Sequence, residues 1–252
     1  MNTAETLEKM SLMRLQGMKQ AYSLHLETGH SSKMTDDELV ALLIENEYTD
    51  RQNRKTDRLF KNARFRYNAS IEEIEFKSER NLDKSLLLRL ASGDYIKSNK
   101  NIIITGPTGA GKSYIASALG HQACIIGYKV LYYNTGKLFS RLKMLQADAS
   151  DIREKLKIEK HDLLILDDFG LQALDTENRL TLLEIIEDRH ERKSTIITSQ
   201  LPVTGWHEVI GDPTIADAIL DRIVHNSIRI NIEGGSMRKK KNVQLQEKKK
   251  KD

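Results

Sequence analysis

At 252 residues, with 39% hydrophobic and 30% charged side chains, the chain can build one large domain or two modest ones around a buried core. No apolar run approaches a membrane span, and the N-terminus lacks a signal peptide's apolar stretch. The single Cys124 excludes an intrachain disulfide framework, so a soluble protein of the reducing cytoplasm is expected. The net charge of +4 belongs to the tail: eight Lys/Arg against two Asp/Glu stand between Arg238 and Asp252, a local +6 that leaves −2 on the rest. The basic balance is therefore no evidence that the folded body binds nucleic acid.

Residues 4–27 predict one helix, with Leu7, Met10, Leu15, Met18, Tyr22 and Leu26 on a broad face. Gly29 and Ser31-Ser32 break it. Thr35 to Glu38 then forms a capping box before a second helix that turns Leu39, Leu42 and Leu43 inward and runs well past residue 50. Its later part carries Arg51, Arg54, Lys55, Arg58 and Lys61 within about a third of the circumference. Two readings stand: a solvated face, or contact with a phosphate backbone. Arg64 and Arg66, extending the cluster, favour the second.

Ile71, Ile74 and Phe76 predict a short extended piece, and Leu82 to Leu90 a helix ending near Gly93. From residue 101 strands and helices alternate, which predicts an α/β fold: a parallel sheet with helices on both faces. The expected strands are Ile102–Thr105, Lys129–Tyr133, Leu163–Asp168, Thr195–Gln200 and Ser227–Ile232. Helices are expected after the first strand, over 135–146 and 149–160, around Leu180–Ile186, and over 214–224. The basic end has no apolar period.

The first of these units carries the chemistry. Gly106-Pro107-Thr108-Gly109-Ala110-Gly111-Lys112-Ser113 sits between a β-branched run and an amphipathic helix, the pattern G-x-x-x-x-G-K-S of a phosphate-binding loop. Its glycines let backbone N–H groups cradle phosphates. Lys112 brings a charge to the β/γ-phosphates, Ser113 can ligate Mg²⁺, Tyr114 follows in the same binding stretch, and the helix adds its positive end. A nucleoside triphosphate is the expected ligand. Four apolar residues then deliver Asp167 to the sheet's carboxyl edge, where it can hold Mg²⁺ through water, with Asp168 to orient or deprotonate the attacking water.

The strand ending at Gln200 can lie between these two. Ser199 or Gln200 would then sense the triphosphate, or the turn is merely structural; Thr198 is the weakest of the three. Arg222 borders an apolar stripe of Ile215, Ile219 and Ile223. It can act in trans as an arginine finger on a neighbour's phosphate, or pair within the chain with Asp217 or Asp221. Trp206 reads as a packing residue, and the seven histidines lack metal spacing.

Met13-Arg14-Leu15-Gln16-Gly17-Met18, the Gly106–Ser113 loop, Leu163–Gly170 and Ser199-Gln200-Leu201-Pro202-Val203 together resemble the IstB-like ATPases. These are transposition helpers of bacterial insertion sequences, related to the DnaC and DnaI helicase loaders and to DnaA. The resemblance implies an AAA+ P-loop NTPase domain over 67–235, preceded by a small all-α domain over 1–66 and followed by a basic tail over 236–252. It implies an ATPase using ATP and Mg²⁺, slow and DNA-stimulated, that oligomerises on double-stranded DNA with ATP sites at subunit interfaces. There it would recruit and stimulate a transposase, in a bacterial cytoplasm and away from membranes. A replicative helicase loader is the alternative client relationship. By the same resemblance Gln200 is the sensor, Arg222 the finger, and Lys137, Arg141 and Lys143 are DNA contacts. Asp168 stands where many AAA+ proteins have glutamate, and its shorter reach implies slow turnover.

Overall fold

The computed structural model describes residues 2–28, 34–76, 78–146 and 151–237. The expected break at Gly29 and Ser31-Ser32, the expected helix start at 149 and the tail from Arg238 onward lie outside the described residues. The chain divides into two compact units, Met1–Arg58 and Leu59–Asp252. The division precedes residue 66 because Ala63, Leu59 and Phe60 pack in the core of the second unit. Among the described residues no helix is long and apolar enough to cross a membrane.

In the first unit the single helix expected over 4–27 is two: α1 (Thr3–Leu12) and α2 (Gln16–Thr28). They are separated by a turn in which Arg14 takes φ +59°. The cause lies 30 residues away, on α3 (Asp36–Ala63). The buried Glu47 carboxylate accepts from the backbone N–H of Gly17 at 2.9 Å and of Met18 at 3.3 Å, which an unbroken helix would have committed to its own carbonyls. Burial opposes the charge on Glu47. The Arg51 guanidinium and these two N–H groups outweigh it and hold the carboxyl below its usual range. Gly17 makes the approach possible, since a Cβ there would stand 2.4 Å from the Asn46 carbonyl oxygen. α3 opens at the expected capping box: Thr35 N–H donates to Glu38 Oε2 at 2.8 Å, and Glu38 N–H to Thr35 Oγ1 at 3.3 Å. Leu39 and Leu43 are half-buried, whereas Leu42, expected inward, is exposed.

The second unit begins with the end of α3. The extended piece expected around Ile71–Phe76 is instead an irregular turn closed by Ile74 N–H on the Ile71 carbonyl, with both isoleucines buried. Then come α4 (Lys84–Ala91), α5 (Asp94–Lys97), β1 (Asn101–Thr105), α6 (Lys112–Ile126), β2 (Val130–Asn134), α7 (Thr135–Gln146) and α8 (Asp151–Lys160). β3 (Leu163–Phe169), α9 (Thr176–Arg189), β4 (Ser194–Ser199), α10 (Trp206–Ile210), α11 (Pro213–Val224) and β5 (Ser227–Asn231) follow. All strand pairs are parallel, in the order β2-β3-β4-β1-β5. β4 thus lies between the phosphate-loop strand and the strand of Asp167, as the sequence allows.

The strands read as apolar runs because both sheet faces are covered. Ile102, Ile104, Ile165 and Ile196 join Ile115 and Leu119 of α6 in one core, while Ile103, Leu164, Leu166 and Ile197 join α7, α9, α10 and α11 in the other. Burial pushes the Cys124 thiol up to about 12, in keeping with a structural rather than reactive group.

Trp206 is fully buried, its ring edge-on to Phe169 at 4.7 Å and its Nε1 donating to the Leu201 carbonyl at 3.3 Å. Trp206→Ala is expected to lower the unfolding free energy by ~3–5 kcal/mol, read as an earlier urea midpoint. A midpoint unchanged from wild type would contradict this packing role.

Candidate functional site

Thr105 of β1 and Phe169 of β3 both pair with Ser199 of β4, so the three strands end level. The loop after β1 and the acidic end of β3 therefore share one sheet edge, about 10 Å apart across one intervening strand. In that loop Gly106 has φ +147°, and a Cβ there would meet the Ile232 carbonyl oxygen at 2.2 Å. Gly109, at φ +79°, accepts at its carbonyl from Met237 N–H and has no room for a side chain beside Ser236. The loop is thus bordered by the segment that follows β5. Pro107 and Thr108 are exposed and Ala110 is buried.

Beside the segment that follows β5, where its carbonyl accepts from Glu233 N–H, the buried Arg80 donates Nη2 to the Ala110 carbonyl at 2.8 Å, and burial lowers its pKa. α6 opens at Lys112, only 5% exposed, whose Nζ donates to the Gly106 and Pro107 carbonyls at 2.8 and 2.9 Å. Ser113 is half-buried in the first turn, and Tyr114 hydrogen-bonds the Glu73 carboxylate.

Asp167 is fully buried. Its Oδ1 accepts from Thr198 Oγ1 at 2.5 Å; its Oδ2 accepts from Tyr132 OH at 2.5 Å and from Arg66 Nη1 at 3.3 Å. Burial and the neighbouring carboxylate raise the Tyr132 pKa, so the phenol remains a donor. Asp168 sits at an irregularity in the β3–β4 ladder with φ +59°, and its N–H donates to Thr198 Oγ1 at 3.0 Å. That backbone turn aims its carboxylate away from the strand, where Oδ2 accepts from Arg66 Nη1 at 2.9 Å and Asn134 Nδ2 at 3.2 Å.

The structure therefore brings Lys112, Ser113, Asp167 and Asp168 to one edge, and it reorders the supporting cast. Thr198, the weakest candidate by sequence, bridges both aspartates. Ser199 is buried, donating to the Phe169 carbonyl, and Gln200 is exposed just past the end of β4. Arg66, which by sequence extends the basic stripe of α3, instead points onto the two carboxylates. Sequence reasoning misses Tyr132 and Asn134. Alternation along β2 could have flagged them, since Asn134 pairs with Asp167 in register.

Arg222 pairs with neither Asp217 nor Asp221. Its Nη2 meets Glu187 Oε1 at 2.8 Å and its Nη1 donates to the Ala218 carbonyl. The Arg222 carbonyl accepts from Asn101 Nδ2, at the start of β1. It therefore stands about 13 Å of strand away from the edge that carries its own phosphate loop.

The basic candidates are all exposed, but not all are free of acidic neighbours. Arg51 pairs with Glu47, Arg54 with Glu47 and Asp50, Arg141 with Glu154, and Lys143 with Glu177 and Asp175.

Residues 8–245 match the family described as IstB-like ATP binding protein. A protein of Sinorhizobium fredii (strain NBRC 101917 / NGR234), named as insertion sequence ATP-binding protein y4pL, is 45% identical over 93% of this chain and 96% of its own. Among solved structures, DnaI superposes at TM-score 0.58 with 22% identity, over 66% of this chain and 91% of that one. The DnaC helicase loader does so at 0.57 with 21% identity, over 66% and 98%. Those two likenesses show the fold, a parallel sheet with helices on both faces. With that fold, and with the family match running through nearly its whole length, the chain belongs to the IstB-like ATP-binding proteins.

Proposed function

We propose that this protein is a DNA-binding AAA+ ATPase of an insertion sequence. It assembles on double-stranded target DNA when ATP is bound and there recruits and stimulates a transposase. The observation that carries this reading is the level placement of the phosphate loop and the Asp167–Asp168 pair at one sheet edge. The relative named as an insertion sequence ATP-binding protein supplies the setting.

The Ser113 hydroxyl and Asp167 carboxylate are hard oxygen donors. They fit Mg²⁺, which commonly takes one or two carboxylates together with substrate phosphates. When bound, Mg²⁺ supplies positive charge to the phosphates. Lys112 and the loop N–H groups hold the β/γ-phosphates, and Thr198 fixes Asp167 through its hydroxyl. Asp168 orients the attacking water and accepts its proton. Gln200, just beyond β4, is the candidate sensor of the γ-phosphate. Arg222 stands too far from its own loop to serve it and acts on the nucleotide of an adjoining subunit.

The candidate DNA contacts are Arg51, Arg54, Lys55, Arg58 and Lys61 on α3 and, taken separately, Lys137, Arg141 and Lys143 on α7. Reversing Arg51 would also disturb Glu47, so the test uses Lys55→Glu, Arg58→Glu and Lys61→Glu together. Anisotropy of a labelled duplex with a non-hydrolysable ATP analogue should show affinity falling by about tenfold or more. The dependence on salt should flatten by roughly one unit for each phosphate that is no longer neutralised. Wild-type affinity and slope in the triple variant would remove α3 from the DNA surface.

A further inference from the structure

Arg66 has no part in the reading above, yet it touches both carboxylates of the site. One nitrogen, Nη1, stands 2.9 Å from Asp168 Oδ2 and 3.3 Å from Asp167 Oδ2. The placement is fixed by its neighbours. Arg64, in the left-handed region, turns the chain at the end of α3. Phe65 then anchors against His121 at 4.3 Å, and the Tyr67 ring lies 5.4 Å from the Arg66 guanidinium carbon.

We propose that Arg66 is a counter-ion latch, a positioning residue that offsets one of the two charges of Asp167 and Asp168 and must be displaced before a divalent cation can bind there. This rests on the nucleotide site proposed above.

A fully buried carboxylate is costly unless charge or hydrogen bonds compensate it. Thr198 and Tyr132 supply neutral donors to Asp167, and Arg66 supplies the positive charge. The Arg66 side chain is 41% exposed while Asp167 is not exposed at all, so the guanidinium sits at the solvent mouth of the site. From there it can swing into water once another cation compensates Asp167. A cation held by Asp167, directly or through water, would bring a second positive centre beside the carboxylate that Nη1 contacts, and the two would repel.

The latch has two consequences. With Arg66 on the acidic pair, Mg²⁺-free nucleotide meets one net negative charge instead of two. With Mg²⁺ present, part of its binding free energy goes into releasing Arg66. Removing the guanidinium should therefore weaken Mg²⁺-free nucleotide binding and lower the Mg²⁺ concentration needed for tight binding.

The test is fluorescence titration of a methylanthraniloyl-ATP probe on the full chain. Wild type, Arg66→Gln and Arg66→Lys are compared in EDTA and across a series of free Mg²⁺ concentrations, with thermal melts confirming folded protein. Arg66→Gln should need about tenfold less Mg²⁺ for half-maximal tightening, the size expected on removing one close charge, and should bind more weakly in EDTA. Arg66→Lys should follow wild type. Equal Mg²⁺ dependence in wild type and Arg66→Gln overturns the latch while leaving the nucleotide site intact. Weakening by the same factor at every Mg²⁺ concentration overturns it too, making Arg66 a nucleotide ligand. If wild type binds no probe under any condition, the nucleotide site itself fails and the latch with it.

Discussion

Replacing Arg222 by alanine is expected to cut DNA-dependent ATP hydrolysis by about three orders of magnitude, the lower range for an arginine finger, with nucleotide affinity of the isolated subunit unchanged. The separation follows from position. Arg222 lies by the start of β1, whereas the phosphate loop follows its end, so removing its side chain takes nothing from the loop of the same chain. Its ion pair with Glu187 is partly open to solvent, and such pairs contribute ~0–1 kcal/mol. The fold should therefore survive. Glu187→Gln is the control: it breaks the same pair while leaving the guanidinium, and hydrolysis should stay near wild type. Joint loss of binding and hydrolysis in Arg222→Ala would make this arginine a structural residue of the α9–α11 surface.

Lys112→Ala should weaken nucleotide binding by roughly 30-fold to several thousandfold, corresponding to ~2–5 kcal/mol for deleting one partner of a buried charge contact. Lys112 is almost wholly enclosed, and its Nζ already lies over the loop on the Gly106 and Pro107 carbonyls. Isothermal titration with ATP and Mg²⁺ measures the effect, and circular dichroism confirms that α6 and the sheet persist. Affinity within about threefold of wild type, well short of that range, would mean that the loop does not hold the triphosphate through this lysine.

What the sequence disclosed and what it withheld divide along the range of the contacts involved. The run from Ile102 to Ser113 is legible because its causes are local: β-branched residues make a buried strand, and the glycines permit a turn that other residues resist. The acidic end of β3 is legible for the same reason, as is the Thr35–Glu38 cap. The break at Arg14 is not. Periodicity across residues 4–27 is helical throughout, and only the Glu47 carboxylate, brought in from α3, rewards giving up helical bonds at Gly17 and Met18.

Arg66 is hidden for a like reason. Next to Arg64 it extends a basic stripe, yet its partners Asp167 and Asp168 are about a hundred residues further on. Arg189 shows the same limit. On α9 it looks like an ordinary helix-end cation. In fact it is buried at the opposite sheet edge, donating to the carbonyls of Ile158, His161 and Ser194. Thr198 gives only a weak signal, because a threonine near a strand end suits the strand whether or not it bridges two carboxylates.

ATP-gated assembly on duplex DNA is tested most directly by sedimentation velocity of the purified chain with a short labelled duplex, with no nucleotide, with ADP and with a non-hydrolysable ATP analogue. A fast-sedimenting complex of several subunits per duplex, formed with the analogue and dispersed in Arg222→Ala, is the expected result. A chain that sediments as a monomer apart from the duplex in all three conditions would contradict it.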